Sequence, residues 1–162
     1  MAGMARRTPH PRRQRPSARV QSSACPCGLA ETETYENCCG RFHRGEAAAP
    51  TAEALMRSRY SAFVKRDEPY LLRTWHPRTR PTGVEFDPGM RWTGLEIVAA
   101  GDGTAFHTTG TVTFRASYRG GSLEERSRFE RVDGAWVYVD GDIDEGDRSE
   151  PGGQGGQGGR TV

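Results

Sequence analysis

The chain has 162 residues, with 23 Lys and Arg against 21 Asp and Glu, a net charge of +2 and a hydrophobic fraction of 34%. The near-balance of charge argues against a whole-protein nucleic-acid footprint, and no apolar run approaches the length of a membrane span. The length suits one modest domain plus a small accessory element, with the apolar deficit concentrated in the two ends.

Residues 1–23 carry Arg6, Arg7, Arg12, Arg13, Arg15 and Arg19 among Pro9, Pro11 and Pro16. This composition predicts a disordered basic arm whose contacts with nucleic acid are weak at most. The prolines oppose an amphipathic targeting helix. Met1 and Met4 are both candidate starts. The basic start has no apolar stretch after it, so the sequence does not read as secretory, and a cytoplasmic location with reduced thiols is expected.

All four cysteines fall within residues 24–44, as Cys25-Pro26-Cys27 and Cys38-Cys39. The segment is short and polar and cannot build an apolar core of its own. A disulfide pair needs an oxidising compartment, and a redox motif usually has the spacing Cys-x-x-Cys. Two close thiol pairs on one short loop are what a tetrahedral zinc ion requires, and the metal–thiolate bonds would supply the missing folding energy. Four thiolates close the coordination shell, so the zinc is expected to be structural and to leave no position for activating water. His43 lies four residues beyond Cys39 and is an alternative ligand; with four thiols available it is read as an exposed loop histidine.

Thr51 is a plausible N-cap, and Leu55, Met56, Tyr60, Phe63 and Val64 recur at helical spacing. A second short helix is predicted from Pro69 to Trp75, ended by His76-Pro77, with a proline-rich loop to about Gly89. A strand follows over about Trp92 to Ala99. Then Phe106, Val112, Phe114, Ala116 and Tyr118 alternate with polar residues in a long strand that takes His107 on its exposed face. Gly120-Gly121 and Asp133-Gly134 are read as two-residue hairpin turns. The order is helices first, then a four-stranded antiparallel meander: an α+β fold. Residues 49–143 form this domain, and residues 144–162 run acidic and then Gly/Gln-rich, as a flexible tail.

Counting from those turns, Val112 faces Phe129, Phe114 faces Ser127, Phe129 faces Tyr138 and Ser127 faces Asp140. One sheet face then carries Val112, Phe114, Phe129 and Tyr138 together with Glu125, Ser127, Arg131, Trp136 and Asp140. Such a face can line a ligand pocket. Asp140 and Glu125 are therefore candidate proton-transferring carboxylates, with Tyr60 or His76 assisting. The plainer reading pairs the carboxylates with Arg57 or Arg59 and makes Trp92 and Trp136 core aromatics. No Gly-rich phosphate loop, His-Glu-x-x-His or Gly-x-Ser-x-Gly is present in the sequence.

Cys25-Pro26-Cys27-Gly28, Tyr35 and Cys38-Cys39-Gly40 resemble a SEC-C motif, the zinc element also found in the SecA translocase. The stretch from Ala49 to Val64, together with Tyr70 to Pro77, Arg91 to Leu95 and Glu125 to Phe129, resembles the YchJ-like family of bacterial proteins. The resemblance covers roughly residues 24 to 143. It implies a nuclear-transport-factor-2-like cone, in which a curved sheet wraps a helix, preceded by a SEC-C zinc element held by Cys25, Cys27, Cys38 and Cys39. Relative to the family, Leu29 to Glu36 carries an apparent two-residue insertion, and the second SEC-C motif of many members is absent from this sequence. SEC-C elements in SecA contact a chaperone or the ribosome, so the resemblance implies a protein partner. Two functions follow as expectations: a non-catalytic adaptor that binds a protein partner through the zinc element, or a small-molecule enzyme using a pocket carboxylate.

Overall fold

Thr51, itself extended, caps the start of the main helix. In the structure, a computed structural model that describes residues 23–144, its hydroxyl accepts the Ala54 N–H at 3.0 Å. The basic arm and the Gly-rich tail lie outside the described residues. The elements are α1 (Cys39–His43), α2 (Ala52–Lys65), α3 (Glu68–Arg73), β1 (Trp92–Asp102), β2 (Thr109–Tyr118), β3 (Gly121–Val132) and β4 (Ala135–Asp144). The four strands form one antiparallel sheet in the order β1-β2-β3-β4. This is the α+β architecture the periodicity predicts.

Helix α2 is held at its start by Glu53, whose carboxylate accepts from Arg57 at 2.8 Å. It ends at Arg66, which takes a left-handed conformation (φ 58°) and bonds back to the Phe63 carbonyl. Asp67 then caps α3, accepting the Tyr70 N–H at 3.1 Å, with Pro69 in the first turn. The core forms where Leu55, Met56 and Tyr60 of α2 meet Val112, Phe114 and Ala116 of β2, Phe129 of β3, and Trp136 and Tyr138 of β4. Phe63 and Val64 pack at its edge, and Trp92 and Trp136 are core aromatics.

Three features differ from the sequence expectations. Strand β2 begins at Thr109, and Phe106 stands 96% exposed in the preceding loop. The β2–β3 turn is Arg119-Gly120, because Tyr118 pairs with Gly121. Gly120 supplies the positive φ of 101°, while a side chain at Gly121 would press on the Tyr118 ring. The register moves by two residues, so Phe114 faces Glu125 and Val112 faces Ser127, and every side chain keeps its face. The second hairpin behaves as expected through Phe129–Tyr138, with Asp133 and Gly134 both at positive φ. Beyond it a bulge intervenes: Arg128, not Ser127, pairs with Asp140. Val139 is the extra residue, and the parity of β4 flips after it. Asp140 consequently leaves the core face.

Candidate metal centre

The knuckle is built by main-chain bonds that the short Gly-containing segment permits. Cys25 N–H donates to Glu33 at 3.0 Å, Ala24 bridges to Thr34, and Gly28 closes the first thiol turn at φ 63°. Cys38 N–H donates to Thr34 at 3.0 Å and Gly40 N–H to Tyr35 at 2.7 Å. A Cβ on Gly40 would collide with that Tyr35 carbonyl, so the close approach needs glycine. The apparent insertion at Leu29–Glu36 is taken up as turns, and both thiol pairs still converge.

The four Sγ atoms of Cys25, Cys27, Cys38 and Cys39 lie within 4.8 Å of one another, and all four residues are buried. Cys27 and Cys38 are 3.6 Å apart, and Cys38 and Cys39 4.0 Å. Four thiolates around one ion, with metal–sulfur bonds of about 2.3 Å, stand about 3.8 Å apart. The quartet can therefore hold a metal ion. The proton chemistry agrees. Hydrogen bonds from Cys27 and Cys39 pull the Cys25 thiol far below its ordinary value. Donating to Cys25 and Cys27 pushes Cys39 far up, and burial followed by the same neighbours pushes Cys38 up to about 12. Four thiols this close cannot all ionise by themselves; a divalent cation relieves that conflict.

The knuckle is bolted to the α+β unit. His43 is buried, neither ligand nor exposed loop residue as read from sequence. Its Nε2 lies 2.8 Å from the Ser58 carbonyl and its Nδ1 2.8 Å from the Tyr35 hydroxyl. The Arg73 guanidinium donates to the carbonyls of His43 (2.5 Å) and Phe42 (3.0 Å). Phe42 packs with Ala62, Tyr70 and Leu71. Arg57 donates to the Cys27 carbonyl at 3.2 Å, and Lys65 sits 4.0 Å above the Tyr35 ring. Sequence reading missed this seat: several of these residues lie in the family-like stretches, but nothing in their spacing says that the knuckle and the helices meet there.

The structure does not bring the candidate carboxylates together. Glu125 is fully buried on the core face and accepts from the Ser127 hydroxyl at 2.8 Å and the Tyr138 hydroxyl at 2.9 Å. Asp140 lies on the outer face, half exposed, and pairs with Arg128 at 2.5 Å. His76 is also away from Glu125: its Nδ1 accepts the Arg78 N–H at 3.1 Å, and its Nε2 faces Glu130 at 3.4 Å. Tyr60 packs edge-on to Trp92, and burial pushes its hydroxyl up to about 12. The concave face is filled by α2. Arg59, with no exposed surface, lies over the rings of Trp75 and Tyr138 at 4.9 and 4.6 Å and donates to the Leu71 carbonyl at 2.8 Å. Burial lowers its pKa to about 10, partly offset by Tyr138, Tyr70 and Glu125. Cavities of about 360 and 590 Å³ open away from Glu125, the first beside Thr51, Asp102 and His107 and the second, on the outer face, beside Arg78, Arg126, Arg128 and Asp140. Neither is lined by Glu125, Ser127 or Tyr60.

A buried thiol quartet in a knuckle, seated on helices that pack against an antiparallel sheet, defines a SEC-C-type element joined to an NTF2-like domain. Residues 51–141 match the family described as YchJ, middle NTF2-like domain. A UPF0225 protein of Streptomyces avermitilis is 71% identical over 129 residues, covering 80% of this chain and 91% of the relative. One of Streptomyces coelicolor is 78% identical, covering 74% and 94%. The solution structure of a SEC-C motif containing protein from Rhodopseudomonas palustris is 32% identical with a TM-score of 0.62, covering 73% of this chain and 96% of that one. A crystal structure of another from Psychrobacter arcticus is 27% identical with a TM-score of 0.60, covering 75% and 81%. The chain belongs to the YchJ-like family of UPF0225 proteins. Among the described residues no helix is long and apolar enough to cross a membrane.

Proposed function

We propose that this chain is a zinc protein that acts by binding a protein partner through its knuckle and has no catalytic turnover of its own. The observation that carries this is the closed thiolate quartet: four buried sulfurs at tetrahedral spacing satisfy one soft cation completely. Thiolate ligands favour zinc over hard cations such as magnesium or calcium. The seat fixes the knuckle rigidly, and Leu29 at its outer turn is 58% exposed, an apolar contact point on a held loop. Tyr35 belongs to the seat, so the partner-facing part of the knuckle is the turn from Leu29 onward. A cytoplasmic location fits the unpaired thiols.

Capture from lysate by the full chain tests the reading. A partner lost with Leu29→Asp but retained with Asp140→Asn, both variants having wild-type circular dichroism, supports it. Capture indifferent to Leu29 and to chelation contradicts it. The enzyme alternative draws on Glu125, a fully buried carboxylate held by Tyr138. It predicts that Glu125→Gln abolishes turnover of a small ligand while knuckle changes are silent.

A further inference from the structure

Ser61 is the tenth residue of the fourteen-residue helix α2 and has no exposed surface. A serine in mid-helix commonly turns its hydroxyl back to a carbonyl of the preceding turn. Ser58 on the same helix does this, donating to Leu55 at 2.8 Å. Ser61 instead faces the knuckle, with its Oγ 3.7 Å from the Sγ of Cys25 across 36 residues of sequence. One turn earlier, Arg57 reaches the Cys27 carbonyl at 3.2 Å. The first thiol turn is thus held at two points by one face of α2.

We propose that Ser61 is a positioning residue of the metal centre: its hydroxyl donates to the Cys25 sulfur, so that α2 orients one ligand of the ion and metal occupancy clamps the knuckle onto the α+β unit. Four thiolates around a divalent cation leave a net charge of −2 in a buried site. A hydrogen-bond donor aimed at sulfur disperses that charge and fixes the ligand's direction. Ser61 also hydrogen-bonds to Cys39; no other hydroxyl approaches the quartet among the described contacts, and the remaining sulfur contacts are between the cysteines themselves.

The inference rests on the metal reading above, and cobalt(II) added to the full-length reduced chain separates the two. The wild type should show thiolate-to-cobalt charge-transfer absorption of a tetrathiolate site. Ser61→Ala should bind cobalt and zinc roughly 10- to 100-fold more weakly against a competing chelator. Its charge-transfer band should move to lower energy, because a sulfur without the hydrogen bond gives up charge more easily. Metal-free Ser61→Ala should match the metal-free wild type in circular dichroism and melting temperature. An unchanged band and affinity overturn the role of Ser61, as does an equal loss of melting temperature with and without metal. A wild type that shows no tetrathiolate spectrum overturns the metal reading itself.

Discussion

His43 donates from Nε2 to the main-chain carbonyl of Ser58 at 2.8 Å, tying the last residue of α1 to the middle of α2. Its Nδ1 lies 2.8 Å from the Tyr35 hydroxyl, a bond the neutral imidazole makes as acceptor, and burial favours that neutral form. Burial lowers its pKa below 6.5, opposed by the Ser58 bond and by Asp67, whose carboxylate lies 3.7 Å away. An unfolded chain takes up the proton first. The stability that neutral His43 provides is therefore present above pH 6.5 and is lost as pH falls through the folded pKa. NMR titration should show the His43 imidazole protonating below pH 6.5, with the knuckle loosening as it does. Protonation at or above 6.5 in the folded chain would contradict the assignment.

Alkaline pH should unfold the protein for the mirror reason. Burial pushes Tyr60 and Tyr70 up to about 12 from 10.0. An acid whose folded pKa is raised contributes stability present below pH 10 and lost as pH rises through 12. Near-ultraviolet phenolate absorbance should rise in two stages. The later stage should coincide with loss of the circular-dichroism signal. Smooth ionisation of all five tyrosines in a folded protein would sink this.

The two arginine contacts of β-sheet residues should differ sharply in worth. Arg128 and Asp140 are 42% and 51% exposed, and Asp140→Asn should cost about 0–1 kcal/mol in a denaturant melt. Arg59 is enclosed between Trp75 and Tyr138. Arg59→Ala empties that space and leaves buried Glu125 without its nearby cation, at a cost of roughly 3–5 kcal/mol. Equal effects of the two changes would show that the bulge at Val139 is misplaced.

Much of this was legible in the sequence, and the parts that were not have physical reasons. The helix stripe from Leu55 to Tyr60, the Thr51 cap, the thiol quartet and the Asp133-Gly134 turn follow from period, capping and spacing. The inward-facing set of β2 and β3 survived a misplaced turn because the error was two residues, the period of a strand. The bulge was missed, though the run Trp136-Val137-Tyr138-Val139 breaks strict alternation and signals it: all four residues are buried, and the chain after α3 lies along the free edge of β4 there. Thr79 reaches the Val139 carbonyl at 2.6 Å, and His76 N–H the Tyr138 carbonyl at 2.7 Å. Counting straight through that run placed Asp140 inside. Phe106 fitted the alternation but precedes the first ladder pair, and the left-handed Asp102 and Gly103 turn the chain before it. Ser61, Ser58 and Arg73 lie in the family-like stretches, but their role was not legible, since it arises only where the knuckle meets the helices.

The central claim is that the thiol quartet binds one structural zinc ion and that the metal holds the knuckle on its seat. Metal analysis of the freshly purified, reduced full-length chain, paired with native mass spectrometry, tests it most directly. The account predicts a single zinc ion per chain, lost on replacing Cys27 and Cys39 by serine, with chelation releasing Phe42 from the Tyr70–Leu71 cluster. Reduced protein that carries no metal and takes up none when zinc is supplied, or one that retains full affinity after both replacements, would contradict it.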